Sequence, residues 1–319
     1  QSVVMSIALI IIVFFGIHVA GGWDAVISNA QSLAGYLSMT SMHNMADHTS
    51  SPYSLLTICS TLAWGLGYFG MPHILLRFMA IEDENKLTLS RRIASVWVVI
   101  SMFVAILIGI IGDSASVAGS VPMLSTSSQS ETIIIQLSGL LGQNGFLLSI
   151  IAGIVLAGIL ASTMSTADSQ LLTAASGISQ NLLQDFLKIK MDTKTSMRAA
   201  RLTVIGIALV AVVLAWNPDS SVFTIVSFAW AGFGASFGPV MLFALFWKRS
   251  NLPGAIAGMV AGNVMVFVWK YGIKPMGGIW GIYELLPAFL VACAAIIIVS
   301  LATAAPSKEI CDKFDSIGK

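Results

Sequence analysis

Eight stretches of the chain, roughly residues 3–20, 54–77, 93–112, 146–167, 199–216, 222–247, 254–271 and 284–303, are predominantly apolar. A helix needs about 20 such residues to cross the hydrocarbon core of a bilayer. Inside that core every backbone N–H and C=O must be paired within the protein, and a run of this length meets the demand by coiling into a helix. Composition leaves the runs no other home. The 319 residues are 56% hydrophobic and 10% charged, with a mean hydropathy of +0.88, whereas a soluble domain carries about 25% charged residues. The expected fold is an all-α membrane protein of about eight transmembrane helices embedded in the lipid bilayer.

Charge orients the bundle. Arg77, Lys86, Arg91 and Arg92 fall in one loop, Lys188, Lys190, Lys194, Arg198 and Arg201 in the next but one, Lys248 and Arg249 in the following one, and Lys308, Lys313 and Lys319 in the tail. These fourteen face only Lys270 and Lys274 in the alternate loops. Such asymmetry places the basic side, and with it both chain ends, in the cytoplasm. The basic residues sit in short loops, so nothing points to nucleic acid. Cys59, Cys293 and Cys311 show no metal or redox spacing, and the histidines show no ligand spacing. Asp24, Asp47 and Asp113 read as solvated loop acids. The chain opens on Gln1 and enters an apolar run at once, with neither the n-region nor the cleavage site of a signal peptide. The expectation is the C-terminal part of something longer.

Two runs are irregular. LAWGLGYFGMPH sets Gly65, Gly67, Gly70 and Pro72 close together, and WAGFGASFGP does the same with Gly232, Gly234, Gly238 and Pro239. Proline lacks an amide donor and clashes with the carbonyl four residues back, so each helix is expected to kink or unwind there. Interrupted spans of this kind point to a transporter binding site, because freed backbone groups must line a cavity; close helix packing is the competing explanation. Trp64, Tyr68 and Pro72, at i, i+4 and i+8, fall on one helical stripe. Two aromatic faces and a freed carbonyl suit a small solute bearing an ammonium group; an interfacial aromatic belt is the alternative. GLGYFG matches a dinucleotide fingerprint in letters only, since no strand precedes it. Between residues 161 and 172, ASTMSTADSQLL places Ser162, Ser165, Asp168 and Ser169 on one helix face, with Thr166 beside Ser165. Hydroxyls and carbonyls are the oxygen ligands a hard monovalent cation takes. They equally serve as helix glue, bonded back to the preceding turn.

Three stretches in this order and spacing, LAWGLGYFGMPHILLRFMA (62–80), ILASTMSTADSQLL (159–172) and FAWAGFGASFGPVMLF (228–243), resemble the sodium:solute symporter family, most of all its bacterial proline-carrying members. The resemblance covers essentially the whole chain. It implies an inverted-repeat transporter with two five-helix repeats, Na+ as the coupling ion, no organic cofactor, proline or a similar zwitterion as substrate, and a one-chain functional unit in the bacterial inner membrane. It implies that Trp64, Tyr68 and Pro72 bind substrate. Ser165, Thr166 and the Ser162 carbonyl would hold sodium, and Asp168 with Ser169 match an additional sodium site of some relatives. Arg77 and Arg201 match arginines that assist inward-side coupling, although positive-inside anchoring accounts for them as well. It further implies that this chain starts near the sixth of about thirteen spans, so that by itself it should not transport. A transporter-like sensor would need a signalling domain, for which the tail from Ala305 is short. A membrane enzyme would need a nucleophile paired with a base, or a metal set, in its spans; the sequence offers neither.

Overall fold

The computed structural model describes residues 2–44, 47–216 and 221–317; Lys319, one of the basic residues of the tail, lies outside them. In chain order the elements are α1 (Ser2–Val19), α2 (Trp23–Ser32), β1 (Ser41–Asn44), β2 (Thr49–Pro52), α3 (Leu55–Ala63), α4 (Pro72–Met79), α5 (Lys86–Val117), α6 (Ser127–Ser130), α7 (Ile133–Gly142), α8 (Phe146–Ser176), α9 (Thr193–Leu214), α10 (Val222–Phe246), α11 (Leu252–Phe267), α12 (Leu285–Ala302) and α13 (Lys308–Ile317). The protein is an all-α membrane protein. Among the described residues, six unbroken helices are long and apolar enough to cross a bilayer, and they coincide with six of the eight expected runs.

Of the other two runs, 3–20 forms a single helix, α1, and the chain bends by 80° just past it, between α1 and α2, at Gly21 and Gly22, whose φ of +93° and +100° only glycine adopts without strain. Counted as one span, the pair makes seven. The run 54–77 divides into α3, a 3₁₀ segment Trp64–Gly70, and α4. Pro72 opens α4, where its missing N–H costs nothing. In 222–247 the helix does not unwind as expected: α10 stays helical through Gly232, Gly234, Gly238 and Pro239.

Residues 1–51 and 81–222 form one compact unit. Its core is Ile12, Val26, Ile111, Leu137, Leu141 and Val155, all fully or nearly fully buried. Here α1 packs on α5, α7 and α8, and α8 packs on α9. Past Ser176, α8 continues as a π-helical stretch, Gly177–Phe186. The side chain of Asp192 accepts the Thr195 amide at 3.1 Å and caps α9; bonding to Thr195 holds this carboxyl below its ordinary range. Asp113 is no loop acid. It lies within α5, half-buried, and accepts a 2.8 Å bond from Asn29 Nδ2. The β1–β2 hairpin gave no apolar alternation to read: its strands are SMHN and TSSP.

Residues 52–80 and 223–319 form the second unit. Its core gathers Ala231, Ala235, Val266, Leu285, Ala288 and Phe289. The most extensive helix pairing is α11 on α12. Gly254, Gly258 and Gly262 sit one turn apart on α11, where a Cβ would collide with Ser300, Ile296 and the Ala235 carbonyl respectively. Small residues in this register let helix backbones approach closely inside a membrane.

Candidate functional site

The second unit contains a cavity of about 620 Å³. Thr57, Ser60 and Thr61 from α3, Trp64 from the 3₁₀ segment, Phe223, Thr224 and Ser227 from α10, and Lys270, Lys274, Tyr283 and Glu284 from the α11–α12 connection line it. Aromatic walls alternate with hydroxyls, so the space accepts a solute that is apolar on one side and polar on another.

Trp64 is the centre of this wall. Its ring stacks within 5.3 Å of Phe223, 5.5 Å of Trp230 and 5.9 Å of Tyr283. Its carbonyl accepts the Trp230 indole N–H at 3.0 Å. The 3₁₀ conformation is what the glycines of both irregular runs permit. A Cβ on Gly67 would collide with the Trp230 indole, and one on Gly234 would lie 2.7 Å from the Gly67 Cα. A Cβ on Gly70 would strike the Phe233 carbonyl and lie 2.9 Å from the Gly238 amide nitrogen. Gly234 and Gly238 of α10 therefore seat the broken span against a continuous helix, while Gly232 faces open space.

The common stripe expected for Trp64, Tyr68 and Pro72 is corrected. A 3₁₀ helix turns once every 3.0 residues, so positions four apart are rotated away from each other. Trp64 lines the cavity. Tyr68 is 51% exposed and lies edge-on to Trp230 at 4.8 Å. Pro72 is half-buried at the start of α4. All three belong to the same unit.

Sequence reasoning missed Tyr283 and its neighbours. The Tyr283 hydroxyl donates to the Ser227 carbonyl at 2.6 Å, and its amide donates to Ser60 Oγ at 3.0 Å. Burial first, and the adjacent Glu284 second, push this phenol above its ordinary pKa. Lys274 Nζ donates to Glu284 Oε2 at 2.7 Å, and Glu284 is only 3% exposed. The one available signal was that Lys270 and Lys274 stand alone on the side poor in basic residues.

In the first unit, the polar stretch of α8 stays regular helix. Thr166 Oγ1 stands 3.4 Å from the Ser162 carbonyl, and Ser169 Oγ donates to the Ser165 carbonyl at 2.9 Å. Ser165, Thr166 and Asp168 are exposed, while Ser162 and Ser169 are half-buried. Back-bonding of this kind is the helix-glue arrangement, tight at Ser169 but stretched at Thr166, beyond the usual 2.5–3.0 Å of a hydroxyl bond. Arg77 and Arg201 are exposed, and neither makes an ion pair among the described residues.

The model of the sodium:solute symporter family matches residues 1–262. The chain is 36% identical to the high-affinity proline transporter of Bacillus subtilis, over 99% of this chain and 62% of that protein. It is 39% identical to the sodium/proline symporter of Escherichia coli, over 82% of this chain and 50% of that one. It is 40% identical to the osmoregulated proline transporter of Bacillus subtilis, over 80% and 50%. The chain thus spans between half and 62% of the length of these relatives.

Proposed function

The chain belongs to the sodium:solute symporter family, and from that premise we propose that the protein couples inward sodium flow to uptake of L-proline by alternating access. The observation that carries this reading is the broken span 55–79, whose Trp64 walls a cavity of about 620 Å³. Interrupted helices are where such transporters place their sites. The relatives named for proline transport supply the substrate. Stacked aromatic rings suit the pyrrolidinium ring and its charge, and the surrounding hydroxyls suit its polar atoms.

Trp64, with Tyr68 and Pro72, forms the substrate site in this reading. The Ser162 carbonyl and the Thr166 hydroxyl, 3.4 Å apart, supply two sodium ligands, with Ser165 beside them. Two oxygens each about 2.4 Å from a hard cation, at right angles, stand about 3.4 Å apart. The stretched Thr166 bond gives that hydroxyl little to lose by turning to an ion. Asp168 and Ser169, one turn on, form the additional cation position, and Arg77 and Arg201 act at the inward side. Sodium stabilises the outward-open state and orders the substrate site, then both solutes leave inward. The reading contains no enzymatic step. It places a one-chain unit in the bacterial inner membrane with the basic side, and the C-terminus, in the cytoplasm. It also takes the chain as the C-terminal part of one transporter domain.

The test is competition of labelled proline uptake by a panel of amino acids and sugars, with and without sodium, in the full-length protein. Unlabelled proline is expected to compete most strongly, and sugars not at all, with uptake confined to sodium medium. Displacement by a sugar in preference to proline would overturn the substrate.

A further inference from the structure

Of the sixteen basic residues, only Lys270 and Lys274 fall on the side opposite the other fourteen, and both line the same cavity as Trp64. Topological selection disfavours neither lysine strongly, but it gives no reason for the pair to converge on one hollow. An interfacial anchor would reach toward lipid headgroups. Lys270 instead lines the cavity, with its ammonium 3.8 Å from the centroid of the neighbouring Phe228 ring. Glu284 is the single acid in the lining, and it is committed to Lys274 at 2.7 Å. Lys270 makes no ion pair among the described residues. Two lysines against one acid leave the lining with a surplus of positive charge.

We propose that Lys270, seated beside the Lys274–Glu284 pair, is a carboxylate-docking position in the cavity mouth, where an amino-acid substrate is first held before its ring reaches Trp64. The inference rests on the symport reading. The division of labour follows from charge: the aromatic wall around Trp64 favours a cation, so the opposite end of a zwitterion needs a cation of its own. A clustered positive potential in a low-dielectric hollow also raises the local concentration of anionic groups. Glu284 fixes Lys274, and the Tyr283 bonds to Ser60 and Ser227 fix the connection that carries Glu284. Lys270 is thereby left as the group able to exchange its partner for a solute carboxylate.

The test compares wild type, Lys270→Gln and Lys270→Arg in the full-length protein reconstituted in liposomes, by initial rates of labelled proline uptake at saturating sodium. Lys274 is left intact, since its loss would strand the buried Glu284 without a partner. Lys270→Gln is expected to raise the KM for proline roughly three- to tenfold, the range of a partly solvated charge pair, with the maximal rate and the sodium half-saturation unchanged. Lys270→Arg is expected to restore most of the loss. An unchanged KM in Lys270→Gln overturns the inference alone, as does an arginine variant impaired as much as the glutamine one. A wild-type protein without sodium-dependent proline uptake overturns the symport reading, and the docking role with it.

Discussion

Replacing Trp64 with alanine in the full-length protein is expected to raise the KM for proline about 30-fold or more, because truncating a packed aromatic anchor costs about 2 kcal/mol or more. Trp64 contributes a wall of the cavity and a stacking surface shared with Phe223, Trp230 and Tyr283. Its backbone carbonyl, which accepts the Trp230 indole N–H, survives the substitution, so the 3₁₀ segment keeps that attachment. The effect should therefore fall on substrate affinity, with the sodium half-saturation at saturating proline moving far less. Phenylalanine should recover part of the loss, since it restores a π-face without the indole. A proline KM within twofold of wild type in Trp64→Ala would remove Trp64 from the substrate site.

The second large effect is expected on α8. Thr166→Ala and Ser165→Ala should each raise the sodium concentration for half-maximal uptake by about tenfold, since losing an oxygen partner of a charged group costs about 1.5 kcal/mol or more. Coupling free energy is reciprocal, so at subsaturating sodium the same variants should also show a raised proline KM. Thr163→Ala provides an internal comparison. Its hydroxyl donates to the Ile159 carbonyl at 3.0 Å and belongs to neither cation position, so its loss should leave the sodium dependence unchanged. Unchanged sodium dependence in both Thr166→Ala and Ser165→Ala would leave the α8 hydroxyls as helix glue.

The legible part of this protein is the part written in long-range pattern. Six apolar runs correspond to six unbroken helices because hydrocarbon permits no other closure of the backbone. The break at Trp64–Gly70 was legible from Pro72, whose ring cannot continue a helix behind it. Pro239 carries the same local signal with the opposite outcome. Gly234 and Gly238 serve the close approach of Gly67 and Gly70, a tertiary fact that composition along α10 does not encode. The 80° bend at Gly21 and Gly22 was hidden for a related reason: a pair of glycines ahead of a long polar loop reads alike whether the chain bends sharply or wanders.

The candidate site divides in the same way. Trp64 stood out because a large aromatic in the middle of a span needs a reason. Tyr68 did not stay with it, since the change from 3.6 to 3.0 residues per turn rotates the stripe, and a helical-wheel argument assumes the first period. Tyr283, Glu284, Ser60 and Ser227 come from three separated segments and meet only in the folded unit. Their individual types are unremarkable, so no spacing rule could have gathered them. Lys270 and Lys274 left a trace in the charge asymmetry, as the exceptions to an otherwise one-sided distribution.

The central claim is that solute movement is driven by sodium, and the most direct measurement is an imposed gradient across liposomes containing the full-length protein. With sodium outside and potassium inside, labelled proline should accumulate transiently above its external concentration and then leak back as the gradient decays. With potassium on both sides it should only equilibrate slowly. Equal proline uptake under the two conditions would contradict sodium coupling.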